Sequence, residues 1–191
     1  METFADIPVV TFANSAAWRL WLNSNFADQT GVWIKIAKKD SDVASITHSE
    51  ALDEALCYGW IDGMRRGYDQ TYFLQKFTPR RKRSLWSKVN IGKVEALVAD
   101  GRMHSAGQAE IELAKGDGRW EAAYESQANA VAPDDLLAAL AQNQIAQEIY
   151  ESLTKAEKYA VLWRLMTAKT PETRAKRLAS MIASLADRKK V

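Results

Sequence analysis

"WIDGMRRGYDQTYFLQKF", residues 60–77, is the stretch whose reading decides the fold. "WIDGMRR" and "TYFLQKF" have the aromatic content of strands, and "GYDQ" between them supplies turn residues, so the segment reads as a β-hairpin. Upstream, "GVWIKIAKK" (31–39) alternates Val32, Ile34 and Ile36 against Trp33, Lys35 and Ala37, the period of another strand. Trp18, Trp21, Leu22 and Phe26 share one helical face behind the capping candidates Asn14 and Ser15. "THSE" (47–50) is a capping box that opens a helix through Leu52, Ala55 and Leu56, and Gly59 is placed to stop it in a left-handed cap.

Downstream of the hairpin the pattern changes. Pro79 ends the second strand, a helix starts near Ser84 or Ser87, and from about residue 87 the periodicity is helical only. One helix runs through Ile91, Val94, Leu97 and Val98 to Gly101, and another from about Ser105 to Lys115. Four more follow, punctuated by Pro133 and Pro171 at first helical positions, a capping box from Thr154 to Glu157, and Thr170 as an N-cap. The expected fold class is therefore α+β. A small, mainly antiparallel sheet with packed helices occupies residues 1–125, and an all-helical region occupies 126–191.

Composition narrows the functional classes. With 191 residues, 47% of them hydrophobic and 26% charged, the chain has a globular rather than a disordered composition. "KFTPRRKRSLWSKVN" (76–90) carries Lys76, Arg80, Arg81, Lys82, Arg83 and Lys88 and no acid, while the whole chain has a net charge of only +2. The remainder is thus net acidic, which argues against a general nucleic-acid coat. "METFADIPVV" has neither the basic nor the apolar region of an export signal, no run reaches a membrane span of roughly 20 apolar residues, and Cys57 has no intramolecular partner. A cytoplasmic protein is expected.

Several motifs together resemble the YdeI/OmpD-associated (OmdA) family, also called bacteriocin-protection proteins. They are "EALDEALCYGWIDG" (50–63), "FTPRRKRSLWSKVN" (77–90), "GRMHSAG" (101–107), "AKGDGRW" (114–120) and "AKTPETRAKRL" (168–178). The resemblance implies protection against bacteriocins or cationic antimicrobial peptides, and association with an outer-membrane porin. It implies no reaction and no catalytic residues.

The candidate site lies where sheet gives way to helices. Lys88 falls in the first turn of a helix, where the dipole disfavours a cation, so an anion bound there would turn the conflict into an attraction. Trp60 and Trp86 as walls, Arg80 and Lys88 as cations, Ser84, Ser87 and Asn90 as hydrogen-bonding groups and Asp62 as an orienting acid would suit a flat anionic molecule. The structural alternative is that Asp62 neutralises Arg80 or Lys88 and the tryptophans are core. In "AKGDGRW" the glycines and Asp117 read as a helix stop, with Arg119 and Trp120 docking the next segment.

Other chemistry is sparse. Cys57 lies on a core face, His48 and His104 are the only histidines, and none of the three has ligand spacing, so no metal and no cofactor is expected. Asp53 and Glu54, like Asp134 and Asp135, are adjacent on helices and do not converge as an acid–base pair. The leading reading is a non-catalytic stress or antimicrobial-peptide resistance protein binding an anionic small molecule or an acidic partner. One alternative is an enzyme on a phosphorylated or carboxylated metabolite, with Asp62 as acid–base and Arg80 and Lys88 as charge stabilisers. RNA binding through residues 76–90 is a further alternative, and a tight RNA complex is not expected. In the last helix, Leu178, Met181, Ile182 and Leu185 form an apolar face beside Arg174, Lys176, Arg177, Arg188, Lys189 and Lys190. Packing on Tyr159, Leu162, Trp163 and Met166 is expected there rather than a membrane surface.

Overall fold

A computed structural model describes residues 2–187. The chain divides into two compact units, one built from residues up to 84 and from 90 to 120, the other from 85–89 and from 121 onward. The first unit holds β1 (Thr3–Phe4), β2 (Ile7–Thr11), α1 (Ser15–Asn25), β3 (Val32–Ala37), α2 (His48–Cys57), β4 (Trp60–Gly67), β5 (Tyr72–Pro79), most of α3 (Lys88–Ala99) and α4 (Ser105–Gly116). Its sheet runs β1-β2-β3-β5-β4, antiparallel throughout except for the parallel pair β2–β3. The fold is α+β, as the sequence led us to expect. β1 and β2 were not legible there, because five residues interrupted by Pro8 show little alternation.

The hairpin forms as read, with Ile61 opposite Thr78, Asp62 opposite Phe77 and a register shift between Asp62 and Arg65. The core face of the sheet packs under α1 and α2 and is strongly aromatic. Trp18 and Trp21 stack with ring centroids 5.1 Å apart, and Trp18 also meets Trp60 edge-on at 6.3 Å and Phe77 at 5.8 Å. Such pairs add about 0.5–1.5 kcal/mol each beyond the area they bury. Trp33, placed by alternation with the polar side of β3, is also buried, because the opposite sheet face has a small core of its own with Val9, Leu74 and Ile7.

Two local devices position the helices. Thr47 and Glu50 close the capping box of α2 reciprocally, and Gly59 follows its end at φ 73, a conformation costly for residues with a Cβ. Gly107 lets α4 approach the end of α2. A Cβ there would collide with the Cys57 carbonyl oxygen and stand 2.7 Å from that of Leu56.

The second unit is helical: α5 (Asp134–Ala141), α6 (Gln144–Ser152), α7 (Lys155–Met166) and α8 (Pro171–Ala186). Leu136, Leu140, Tyr150, Leu165, Met181 and Leu185 lie in its core, with Met166, Leu178 and Ile182 packed against it. The apolar face of α8 is therefore internal. Its charges at Arg188, Lys189 and Lys190 lie outside the described residues. Thr154 and Thr170 cap α7 and α8 as read, and Pro171 begins α8. Pro133 proves to be the N-cap of α5 rather than its first helical residue, and that position falls to Asp134. No helix among the described residues is long and apolar enough to cross a membrane.

Candidate functional site

The eight residues proposed from sequence are divided between the units. Trp60, Asp62, Arg80, Ser84 and Asn90 belong to the first, and Trp86, Ser87 and Lys88 to the second. Trp60 is 1% exposed and its Nε1–H donates to the Phe26 carbonyl at 3.2 Å, so it is a core residue of the first unit. Arg80 is also buried, and its backbone N–H bonds the Gly59 carbonyl at 3.0 Å. The Ser84 carbonyl accepts from Arg119 Nη1 at 2.9 Å, while Arg119 Nε pairs with Asp117 at 2.8 Å. That pairing makes the "AKGDGRW" segment a helix stop that docks on the basic turn.

In the second unit, Ser87 forms a parallel bridge with Tyr124, and the Lys88 N–H donates to the Tyr124 carbonyl at 2.9 Å. Lys88 Nζ lies 3.3 Å from Glu125 Oε2. The first turn of α3 thus has a backbone acceptor and an acid beside its lysine, and Glu125 supplies the compensation that sequence reasoning assigned to a bound anion or to Asp62. Arg81, Lys82 and Arg83 are exposed, with Arg83 at φ 66.

Asp62 instead faces His48, the first residue of α2, with Nε2 and Oδ2 3.1 Å apart. Further along α2, Asp53 accepts from Lys93 Nζ at 2.6 Å, and Ser49 lies 3.3 Å from the same ammonium. This group holds a histidine–carboxylate pair and an ammonium, the side chains from which acid–base chemistry is built.

A second constellation lies on the other side of α2. Glu54 is 1% exposed and receives Arg19 in a two-pronged contact, Nε to Oε2 and Nη2 to Oε1, both 2.7 Å. Arg102 Nη2 reaches the same Oε1 at 2.7 Å. Two guanidiniums on one carboxylate leave the triad with one positive charge, and the hydrogen bonds that Arg19 donates to Glu54 raise its pKa above the ordinary value. Burial, then the Glu54 charge, pushes the Cys57 thiol up to about 11, which keeps it protonated and unreactive near neutrality. Tyr58 stacks on His104 with centroids 4.7 Å apart, while His104 Nδ1 accepts the Ala106 N–H and caps α4. "GRMHSAG" therefore reads as a cap and a close-approach glycine.

Beside the triad, Ser15, Ala16, Arg19, Leu20, Asn23 and Tyr58 line an open cleft of about 450 Å³. Ser15, Arg19 and Asn23 recur every four residues on α1, so their polar groups share one helix face. Sequence reasoning treated Glu54 only as the neighbour of Asp53. A signal existed, since Ala51, Glu54 and Ala55 fall on one face of α2, and an acid on an apolar stripe requires partners. Which arginines they are was not readable, because they lie 35 and 48 residues away. Among the described residues no group of three or more His, Cys, Asp or Glu side chains could hold a metal ion.

The fold and this cleft define an α+β protein with a cationic, partly apolar recess on a sheet-containing unit and a separate helical unit. The chain belongs to the family described as Domain of unknown function (DUF8412), which matches residues 10–110. Residues 129–188 match the family described as Bacteriocin-protection, YdeI or OmpD-Associated, the family resembled in sequence. Of the motifs that carried the resemblance, only "AKTPETRAKRL" lies inside that second match; those at 50–63, 77–90 and 101–107 lie inside the first. No curated protein and no solved structure matches the chain.

Proposed function

We propose that this chain is a non-catalytic cytoplasmic protein of bacteriocin-protection type, and that it works by binding an anionic small molecule in the cleft on α1. The role at the coarse level rests on the family match over residues 129–188. The observation that carries the binding reading is the convergence of Arg19 and Arg102 on Glu54 at the edge of a cleft bearing Ser15, Asn23 and Tyr58. The guanidinium of Arg19 is held in a fixed plane by two hydrogen bonds and its side chain is 48% exposed, so a carboxylate or phosphate can approach it without a large ordering cost. Exposed Leu20 supplies an apolar wall for the rest of the molecule.

A thermal-shift panel of phosphate, small carboxylates and nucleoside monophosphates tests this. An anion present at 100 times its Kd raises stability by about 2.7 kcal/mol in the wild type. Arg19→Gln abolishes that shift, and because Arg19 also supplies the contact to the buried Glu54 Oε2 it lowers the apo melting temperature, so the anion shift is read against the variant's own apo value. A shift that persists in Arg19→Gln removes the site, and the absence of any anionic stabiliser removes the reading.

The 3.1 Å contact of His48 with Asp62 favours a second reading, an enzyme acting on a phosphorylated or carboxylated metabolite with Asp62 in acid–base work. Under that reading His48→Ala abolishes turnover of a substrate found by metabolite screening and leaves the fold intact.

A further inference from the structure

The sheet face opposite the aromatic core carries an arrangement that the α1 cleft does not use. Lys35 Nζ lies 4.3 Å from the Tyr68 ring centroid, and Lys76 Nζ lies 5.8 Å from that of Trp33. Glu2 and Phe4 engage both groups. Glu2 Oε2 accepts from Lys35 Nζ and Oε1 from the Tyr68 hydroxyl, each at 2.6 Å, while the Phe4 ring meets Trp33 edge-on at 5.3 Å.

The resident segment is short. β1 pairs with β2 through Thr3–Pro8 and Phe4–Ile7, with one further backbone hydrogen bond from the Val9 N–H to the Glu2 carbonyl at 2.9 Å, and the turn between them keeps Ala5 and Asp6 at φ 49 and 59, where side chains with a Cβ are disfavoured. Phe4 remains 43% exposed although it covers a Trp33 that is 3% exposed. The Trp33 Nε1–H, buried at that position, has no hydrogen-bond partner among the described residues. Buried indole N–H groups ordinarily find an acceptor.

These features describe a recognition surface with its own sequence in it: a carboxylate read by an ammonium and a phenol, an aromatic ring read by an indole, and extended backbone added to the outer edge of β2. Strand addition with pockets for alternate side chains is an established mode of peptide binding. We propose that this face is a docking site for an extended acidic–x–aromatic segment of a partner protein, and that Glu2 and Phe4 occupy it in cis until such a segment displaces them. Lys35 and Lys76 select an acidic segment and disfavour a cationic one. The Trp33 Nε1–H gives the incoming segment a donor that residues 2–4 leave unanswered. Because the resident segment is tethered, its effective concentration is high, and a free peptide competes poorly against the intact chain.

The test is fluorescence anisotropy with a labelled peptide carrying Glu-Thr-Phe in an extended context. The whole chain is used as wild type, as Glu2→Ala, and as Glu2→Ala with Phe4→Ala. Removing the resident side chains strengthens peptide binding by roughly tenfold or more, since the tethered competitor is gone. Adding Lys35→Met to the opened chain, or replacing the peptide's Glu by Gln, reverses that gain. Glu2→Ala alone retains Phe4 and serves if the double variant does not fold. Folded variants that bind the peptide no better than wild type overturn the proposal. So does a wild-type chain that forms a dimer by exchanging residues 2–4 and ignores the free peptide, because the occupant is then a second copy.

Discussion

In the helical unit the polar side chains with close partners stand mostly at helix ends or on the surface. Asn143, Thr154 and Thr170 accept backbone N–H groups as N-caps, and Asp135 at the start of α5 pairs with Arg174 at 2.7 Å. The sheet-containing unit instead buries Glu54 between two arginines and an indole N–H under Phe4. Caps satisfy groups that every helix leaves open, and their absence of binding chemistry is unsurprising. A buried carboxylate has a desolvation cost that surface pairs do not, and it holds its arginines in one geometry. The difference separates two kinds of information. The match whose description names a role covers residues 129–188, while Arg19 and Arg102, the side chains we propose to bind an anion, stand within residues 10–110, matched by the family described as a domain of unknown function.

The strongest way to break this comparison is Glu54→Ala. It leaves two guanidiniums facing each other without their acid, and we expect a loss of about 3–5 kcal/mol in urea unfolding followed by tryptophan fluorescence. Asp135→Ala, the corresponding deletion in the helical unit, should cost no more than about 1 kcal/mol, because both partners are partly exposed. Equal losses would erase the distinction between the units.

Gly107→Ala probes the packing that brings α4 and His104 against α2. The new methyl has no room beside the Cys57 and Leu56 carbonyls, and those are backbone atoms that cannot rotate away. A loss of about 1–3 kcal/mol is expected by the same measurement. Cys57 should also react faster with a thiol reagent in this variant, since its burial depends on that contact. An unchanged rate with unchanged stability would show that α4 can retreat freely.

The smallest effect sharpens the comparison where the units are most alike. Both have a Thr-x-x-Glu capping box, at Thr47 and at Thr154, and Thr→Ala at either should cost about 1 kcal/mol. The Thr47 backbone N–H, then its hydroxyl, holds the Glu50 carboxyl below its ordinary range. A carboxyl lowered on folding contributes stability above its unfolded pKa and loses it as pH falls through the folded value. Thr47→Ala removes the hydroxyl contact and keeps the backbone one, so it should partly flatten stability against pH on the acid side of the carboxylate range. A parallel shift with no change in slope would deny the Thr47 hydroxyl its part in holding the Glu50 carboxyl, leaving that to the backbone N–H.

Much of the architecture was legible because it depends on neighbours in sequence. The hairpin at 60–79, the stop at Gly59, both capping boxes and the apolar face of α8 each rest on residues within a few positions of one another. β1 and β2 were missed because so short a segment has too little periodicity, and Pro133 was placed one position late because proline suits both N-cap and first-turn backbone. The α1 cleft and its Arg19–Glu54–Arg102 triad were not read from the sequence, and the residues that were read as a site have other partners than expected. Lys88 at the start of α3 was correctly in need of an acid, yet the acid beside it is Glu125, and Asp62 lies with His48.

The sequence by itself determined the hairpin of β4 and β5, β3 and the run of helices with most of their caps, that the chain is α+β, and that cations gather at residues 76–90. Those properties follow from period, caps and local charge, which act over one or two turns of chain. Only the tertiary structure decided that Arg19, Glu54 and Arg102 meet, that Trp33 is buried on the second face of the sheet, and that Glu2 reaches Lys35 and Tyr68. The reason is that an ionic or aromatic side chain accepts any complementary partner in reach, and what lies in reach across tens of residues is set by the packing of the whole core rather than by spacing along the chain.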